Sequence, residues 1–405
     1  MTLSPANKKR LQRFKENRRG YLCLKIFIFI TVIAMMSEIF FNSKALMVSY
    51  EGNWFFPVFG KTHQSITFGG EGKSEPDYLE LQQRLKEENR GNWVFMPLVP
   101  YDAAHISKIN QAPIDKDIVQ VEKDFQPRFE AIEALSELSS EERIHKKHDL
   151  TLELNIKRGT LEKLKYPPLP PDAASKHYLG TDNSGRDVLA RLMYGYRIAI
   201  CFALILLLLN YSIGVTLGCL MGYLGGIFDI LVQRVIEVIH NIPFLYVIMI
   251  IAAVQRSKGN EMGFWSLVGV YAMFGWMGMT WYMRTAVFKE KAREYILAAK
   301  ANGATNSRVI FEHLIPNVVS LLVTFIPFSV SGAIIGLTSL DYLGYGLPKG
   351  TPSWGELIKV GTEDMNSPWI VLSVVSAMIV VLFLINSIGE AVREAFDPKQ
   401  IFNYE

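Results

Sequence analysis

The residues best suited to chemistry lie in one polar stretch near the middle of the chain. It holds His177, Asp182 and Asp187, with Arg186 between the two carboxylates in sequence. Such a set could act as general acid and base, or could bind a metal ion. A compact group of opposite charges can also pair with itself, and we favour that structural role.

The small residues of the same stretch support this interpretation. Gly180 and Gly185 suit the shaping of a turn, and Asp182 or Ser184 suits the capping of the helix that follows. The charged side chains would then pair locally before an interfacial helix. We therefore predict no catalytic residue, no bound cofactor and no metal site.

One tripeptide, Gly60-Lys61-Thr62, looks like the end of a phosphate-binding loop. The glycine that such a loop needs upstream is replaced by Phe55. The tripeptide would also lie outside the membrane, where ATP is scarce. We interpret it as a turn, so we do not expect this chain to hydrolyse ATP by itself.

Polar side chains inside an apolar run are costly in a membrane and often functional. Glu237 follows Arg234 by one helical turn, which favours a local ion pair over a proton relay. His240 and Asn241 stand one turn further on. They could line a transport path or make polar contacts within a helix bundle, and the sequence leaves both open.

A second distinctive spacing lies between two long apolar runs. Ala298 and Ala299 are small, strong helix formers, so another protein could approach that helix closely. Gly303 suits the end of the helix, because glycine tolerates positive φ. Thr305 can cap a second helix, which Pro316 would leave or kink. The pattern predicts a compact helix-turn-helix.

The same spacing, at Ala299, Gly303 and Val309, also fits a DNA-binding helix-turn-helix. Membrane spans on both sides argue against that role. The formal net charge is only +3, and no basic reading face is concentrated in the loop. We therefore expect no nucleic-acid partner.

Composition indicates a membrane protein with a soluble part. The 405 residues are 50% hydrophobic, too apolar for an ordinary soluble domain, yet 20% charged, too polar for spans alone. Six segments are apolar and long enough to cross about 30 Å of hydrocarbon. They are 21–41, 198–223, 235–254, 264–283, 318–340 and 369–388.

Basic residues predict the orientation of these spans. The tail before the first span carries seven of them against Glu16: Lys8, Lys9, Arg10, Arg13, Lys15, Arg18 and Arg19. With six spans, both termini and the loop 287–316 should lie in the cytoplasm, and 42–176 outside. The first run is too long for a cleaved signal peptide, so we expect an uncleaved anchor despite Ser43-Lys44-Ala45.

The segment between the first two spans is predicted to fold. Aromatic, β-prone stretches at 53–59 and 91–100 suggest a small cap. A charged helical hairpin is expected at about 127–165, where Ser139 and Glu142 offer a capping box. The hairpin could dock a partner, but we favour a decorative insertion that packs against the cap.

The loop with the alanine pair resembles the cytoplasmic coupling loop of ATP-binding-cassette importer permeases, usually written EAA, three residues, G, nine residues, I-x-L-P. The stretch 177–197 resembles the segment before the second span in the C-type subunit of dipeptide, oligopeptide and nickel permeases. The resemblance is strong over 177–400. Early cap stretches, 51–59 and 93–97, look like the Yej-type permease that serves peptide and microcin C uptake.

This resemblance implies an all-α polytopic membrane protein with six transmembrane helices of the type I ABC importer permease fold. An extracytoplasmic α+β insertion would separate helices 1 and 2. The implied organisation follows the chain in order: cytoplasmic basic tail 1–20, transmembrane helix 1 at 21–41, periplasmic insertion 42–176, permease domain 177–400 with five helices, and tail 401–405.

The resemblance also implies function and partners. The chain would be half of the translocation pore of an ATP-driven peptide importer in the bacterial inner membrane, in contact with lipid. Its partners would be a second permease subunit in a heterodimer, two cytoplasmic ATPase subunits and a periplasmic peptide-binding protein. The alternatives are a permease of the same family for nickel or another small solute, or an ATPase-independent secondary transporter.

The resemblance assigns ATPase coupling to seven residues: Glu294, Leu297, Ala298, Ala299, Gly303, Thr305 and Pro316. Leu297 stands where the family pattern has glutamate, and His313 stands where it has isoleucine. A specific salt bridge from the first of these positions to the ATPase is therefore not expected. Glu294 could supply a carboxylate one turn earlier.

Overall fold

A computed structural model describes residues 5–107, 111–134 and 139–396. The helices are α1 (Pro5–Glu16), α2 (Arg18–Met35), α3 (Ser37–Phe40), α4 (Tyr78–Glu88), α5 (Gln111–Ala134), α6 (Ser140–Lys163), α7 (Val188–Leu224), α8 (Gly226–His240), α9 (Phe244–Ser257), α10 (Phe264–Lys291), α11 (Glu294–Ala301), α12 (Asn306–Arg308), α13 (Ile315–Leu343), α14 (Trp354–Glu363) and α15 (Pro368–Phe396). Short strands are β1 (Met47–Tyr50), β2 (Asn53–Phe55) and β3 (Trp93–Phe95).

The chain divides into two compact units. The insert unit comprises Ser37–Arg191 and Val360–Ser373, and the helical unit comprises Leu192–Lys359 with the two ends of the chain.

Length and composition mark three helical stretches of the described residues as able to cross a membrane: α7, Leu322–Leu343 within α13, and α15. Helices α8 and α9 together would make a fourth, although they are bent by 67° where Pro243 interrupts them. The predicted segment 264–283 is also helical, and 21–41 is helical in α2 as far as Met35 and again in the short α3. However, α2 carries three basic residues, and glycine and tryptophan dilute the apolar character of α10.

The insert unit contains an antiparallel sheet in the order β2-β1-β3. Alternation along the strands points Val48 and Val94 into a core that includes Phe68 and Leu85. The strands expected within 53–59 and 91–100 are therefore confirmed in β2 and β3. Helix α4 covers this core with its buried face.

Helices α5 and α6 pack against each other as the charged hairpin. The capping box at its turn is confirmed: the backbone N–H of Glu142 donates to Ser139 Oγ, and Ser139 N–H donates to the Glu142 carboxylate. The first helix starts at Gln111, well before the predicted 127, and Pro127 lies inside it. Buried Ile118 supplies an apolar position upstream that extends the helix.

In the helical unit, α7 and α10 approach closely along a glycine stripe, defined as Gly214, Gly218 and Gly222. A Cβ added at Gly218 would lie 2.6 Å from the carbonyl oxygen of Thr280, and the other two glycines are similarly close to α10. Residues four apart lie on one helix face, so the stripe lets the two backbones meet. This contact positions the loop that follows α10.

Candidate functional site

The loop between α10 and α13 begins with helix α11. It ends as predicted at Gly303, which has φ of +81°, the left-handed conformation that favours glycine. Asn302 keeps an ordinary φ of −80°, so only the glycine uses the unusual conformation. The N–H of Ala304 then donates to the carbonyl of Ala299 at 3.0 Å and closes the turn.

Thr305 starts the second helix, as expected. Its Oγ1 accepts the backbone N–H of Arg308 at 3.4 Å. Helix α12 then widens into a π turn, Val309–Leu314, before α13 begins. Pro316 lies in the first turn of α13, directly after this π turn, so the distortion precedes the proline instead of following it.

One face of the loop is buried in the core of the helical unit. Ile296, Val309 and Leu314 are each fully buried, against Met283 and Val287 of α10. Apolar burial of this kind contributes about 2 kcal/mol per side chain. The loop is therefore fixed to the long helices and is not a loose connection.

Tyr223, at the end of α7, holds the loop through polar contacts. Its hydroxyl donates to Asn306 Oδ1 at 2.6 Å, and its carbonyl accepts from Lys291 Nζ at 2.5 Å. The ammonium of Lys300 lies 4.7 Å from the centre of its ring. Sequence reasoning missed this role; an aromatic residue at the end of a span was the only signal.

Tyr295 of α11 connects to α10 and α13 through its hydroxyl. Its hydroxyl donates to Glu290 Oε1 at 2.8 Å and accepts from Asn317 Nδ2 at 3.1 Å. Burial, reinforced by the hydrogen bond to Glu290, raises the pKa of Tyr295 to about 12. The phenol therefore stays protonated and keeps donating at physiological pH.

The other face of the loop is exposed. Leu297 has 57% of its surface accessible, and Ala298 and Glu294 are exposed beside it. Apart from the adjacent residues, no atom of the described part of the chain lies within 4 Å of where a Cβ would stand at Gly303. Of the remaining predicted residues, Ala299 is half-buried, and Thr305 and Pro316 are exposed. The predicted set thus forms one outward surface, except for Pro316 in the next helix.

The polar stretch near residue 180 forms a local network of ion pairs and hydrogen bonds in the insert unit. Arg186 Nε donates to Asp182 at 2.8 Å, and the same carboxylate accepts the backbone N–H groups of Ser184 and Arg186. The fully buried Arg191 has its Nε 3.5 Å from Asp182. The charges pair locally, as expected.

The helix cap in this stretch differs from the prediction. Asp187, and neither Asp182 nor Ser184, caps α7, because its Oδ1 accepts the N–H of Ala190 at 2.7 Å. Its other oxygen lies 2.8 Å from His177 Nδ1. Asp182 is instead occupied by its own turn, where Gly185 has φ of +80°.

The apolar runs contain one predicted ion pair and one unforeseen pair. Arg234 and Glu237 are bonded at 2.6 Å, which confirms the local pairing. Asp229 on α8 and Arg284 on α10 form a second, more buried pair. His240 packs on the Trp281 ring, with centroids 5.3 Å apart, a contact within the bundle.

Comparison with known proteins relates the whole chain to membrane permeases. Residues 214–401 match the family described as binding-protein-dependent transport system inner membrane component. The inner membrane ABC transporter permease protein YejE of Escherichia coli K12 is 34% identical, covering 98% of both chains.

Two further relatives are also named as permeases. The peptidoglycan transport system permease protein YejE of Agrobacterium fabrum is 34% identical over 98% of this chain and 94% of its own. The oligopeptide transport system permease protein OppC of Lactococcus lactis is 32% identical over 55% of this chain and 76% of its own. A solved inward-facing MetNI methionine ABC transporter superposes with a TM-score of 0.44 and 16% identity, over 51% of this chain and 96% of its own.

A relative that is 34% identical over 98% of both chains leaves no large part of the sequence outside the comparison. This chain therefore belongs to the family of multi-pass inner membrane permeases of binding-protein-dependent ABC transporters, in which ATP hydrolysis lies in separate subunits.

Proposed function

We propose that this chain forms half of the translocation pore of an ATP-driven peptide importer. Its partners would be a second permease in a heterodimer, two cytoplasmic ATPase subunits and a periplasmic binding protein. The observation that carries the proposal is the full-length similarity to permeases together with the shorter match to an oligopeptide permease. No residue of this chain performs catalysis in this scheme.

The proposed topology has six spans with both termini in the cytoplasm. Besides the three clearly apolar helices, α2, the bent pair α8–α9 and α10 would complete the set inside a bundle, where neighbouring helices satisfy polar groups. Residues 42–176 would then be periplasmic. The seven basic residues before and within the start of α2 support this orientation.

The loop 287–316 is the proposed coupling element. Its inner face is held by Ile296, Val309 and Leu314, and its outer face presents Leu297 and the open turn at Gly303. A loop anchored in this way transmits a push from an ATPase as a rigid body. The long helices then convert the displacement into alternating access.

The cargo we favour is an oligopeptide. A fragment of peptidoglycan is the second candidate, because the Agrobacterium fabrum relative is named for peptidoglycan transport and matches over nearly the whole chain. Both cargoes carry peptide bonds. Selection between them would be made mainly by the binding protein, which delivers the solute.

Uptake by the reconstituted importer tests the proposal. Proteoliposomes would contain this chain, its partner permease and the ATPases, with binding protein and either a labelled casein digest or a labelled peptidoglycan digest outside. We expect ATP-dependent accumulation of peptide, and none when an ATPase variant unable to hydrolyse ATP is used. Uptake that continues without hydrolysis would favour the secondary-transporter alternative.

A further inference from the structure

A cavity of about 300 Å³ lies among α7, α10 and α13 of the helical unit. Its wall includes Asn210 and Tyr211 from α7, Tyr271 from α10 and Ser329 from α13. Each of these residues stands well inside its helix, away from both ends. The cavity is therefore at mid-depth in the part of the chain that we assign to the membrane.

The wall is largely apolar, and a few polar side chains interrupt it. The hydroxyls of Tyr211 and Ser329 are hydrogen-bonded at 3.1 Å. Within the described part of the chain, no donor reaches the buried Oδ1 of Asn210. A buried amide oxygen without a donor costs free energy. Asn210 also lines the cavity, so a movement that uncovers its amide would let a solute in the cavity supply the missing donor.

One side of the cavity is open. Gly278 and Gly332 belong to its wall and are exposed. Beyond the backbone of its own helix, a Cβ at either would meet no atom of the described residues within 4 Å. Gly275 faces Asn210 so closely that a Cβ there would collide with the amide. The glycines thus keep both the opening and the amide free of side chains.

Lipid is a poor occupant of that opening. Hydrocarbon cannot satisfy an amide oxygen, and polar groups in spans face the bundle interior or a water-filled path. A peptide main chain is a better occupant, since it supplies N–H donors and C=O acceptors at every residue. The amide of Asn210 can both donate and accept, and the described residues that line this cavity include no ionised side chain.

We propose that this cavity is part of the solute path and that Asn210 hydrogen-bonds the main chain of the passing peptide. The inference rests on the proposed function and deepens it by naming a contact in the path. Recognition through the main chain would be independent of side chains, as a permease for mixed peptides requires.

Transport by matched variants tests the role of Asn210 and of the cavity. Asn210→Leu removes the amide at similar volume, and Gly332→Leu fills the opening without a clash inside the chain. We expect peptide uptake from the labelled casein digest to fall about tenfold for Asn210→Leu, the scale of one lost hydrogen bond. Gly332→Leu should abolish uptake, with assembly and basal ATP hydrolysis retained in both.

Two controls separate the cavity from general packing. Ser331→Ala removes a buried hydroxyl that, like the amide oxygen of Asn210, has no partner in the described residues. Ser331 lies outside the cavity wall. Gly269→Leu places the same side chain on an exposed part of α10 that has space for it. Both should transport normally. Normal uptake by Asn210→Leu would overturn the assignment to this residue.

Thiol accessibility tests the path independently of any peptide. In protein whose cysteines are replaced by alanine, Gly332→Cys should react with a membrane-impermeant thiol reagent during ATP turnover, severalfold faster than Gly269→Cys. An unreactive Gly332→Cys would overturn the path. If wild-type protein transports neither digest while Gly332→Cys reacts, the peptide assignment fails and the path survives.

Discussion

Asp229 on α8 and Arg284 on α10 form a two-pronged ion pair, in which guanidinium Nε and Nη2 donate to the two carboxylate oxygens at 2.5 and 2.6 Å. The Asp229 side chain keeps only 9% of its surface accessible, whereas that of Arg284 keeps 27%. The pair fixes α8 to the end of α10 that leads into the proposed coupling loop.

Breaking this pair should destabilise the protein. Asp229→Ala leaves Arg284 without its carboxylate, and we expect a loss of about 2 kcal/mol, reduced from that of a fully buried pair by the partial exposure of the arginine. The fall in the thermal unfolding midpoint of the purified variant measures this loss of stability. The double variant Asp229→Leu with Arg284→Met should recover most of the loss; equal instability of single and double variants would contradict the account.

Gly303→Val should uncouple transport from ATP hydrolysis. A β-branched residue at φ of +81° costs roughly 1–2 kcal/mol and adds bulk on the outward turn. The spans should still insert, because among the described residues a Cβ at this glycine meets nothing beyond its immediate chain neighbours. Copurification of the ATPases and uptake should both fall.

Two companion variants separate backbone strain at residue 303 from added bulk at the contact with the ATPase. Gly303→Asn tolerates positive φ but adds bulk, so its failure would locate the effect at the contact and not in the backbone. Leu297→Glu restores the family's acid at an exposed position and should be tolerated. Normal transport by Gly303→Val with bound ATPases would exclude this loop as the coupling element.

Deleting the charged hairpin should leave transport largely intact. Its ends meet, since Gln111 Nε2 donates to the Lys165 carbonyl at 3.4 Å and Lys165 pairs with Asp115 at 2.6 Å. Residues 111–164 can therefore be replaced by a short linker. Uptake and membrane insertion are the measurements, and a loss of uptake with normal assembly would indicate that the hairpin docks the binding protein.

The proposed orientation predicts which positions react from outside the cell. Cysteine introduced at Trp54 or Ser139 should be labelled by an impermeant reagent in cells with a permeabilised outer membrane, because both side chains are exposed. Cysteine at Lys8 should react only after lysis. Labelling at Lys8 in intact spheroplasts would reverse the topology and remove the loop 287–316 from the cytoplasm.

Local features of this protein were predictable, and distant pairings were not. The left-handed turn at Gly303 and the capping box at Ser139 are set by a few adjacent residues. The pair of Asp229 and Arg284 joins residues 55 apart, which no local spacing reveals. The sequence predicts the start of α5 too late, at Pro127, because a proline commonly marks a helix boundary. In the structure the exposed helix continues through Pro127 with the loss of one backbone hydrogen bond.

The cap of α7 illustrates an intermediate case. Asp182, Ser184 and Asp187 all have the chemistry of a cap, so the sequence narrows the choice without deciding it. The residue that caps the helix is decided by where the helix begins, and α7 begins at Val188. Asp182 cannot be the cap, because it is already hydrogen-bonded within the turn that contains Gly185. Similarly, the burial of Tyr223 against the loop follows from how α7 and α10 pack.

The glycine stripe of α7 also limits how the protein can move. Interlocked side chains can change rotamers and let two helices rotate, but Gly214, Gly218 and Gly222 offer no side chain to rearrange against α10. We expect α7 and α10 to move together as one rigid body. Conformational change within the helical unit would then occur at breaks between helices, such as the 67° bend between α8 and α9.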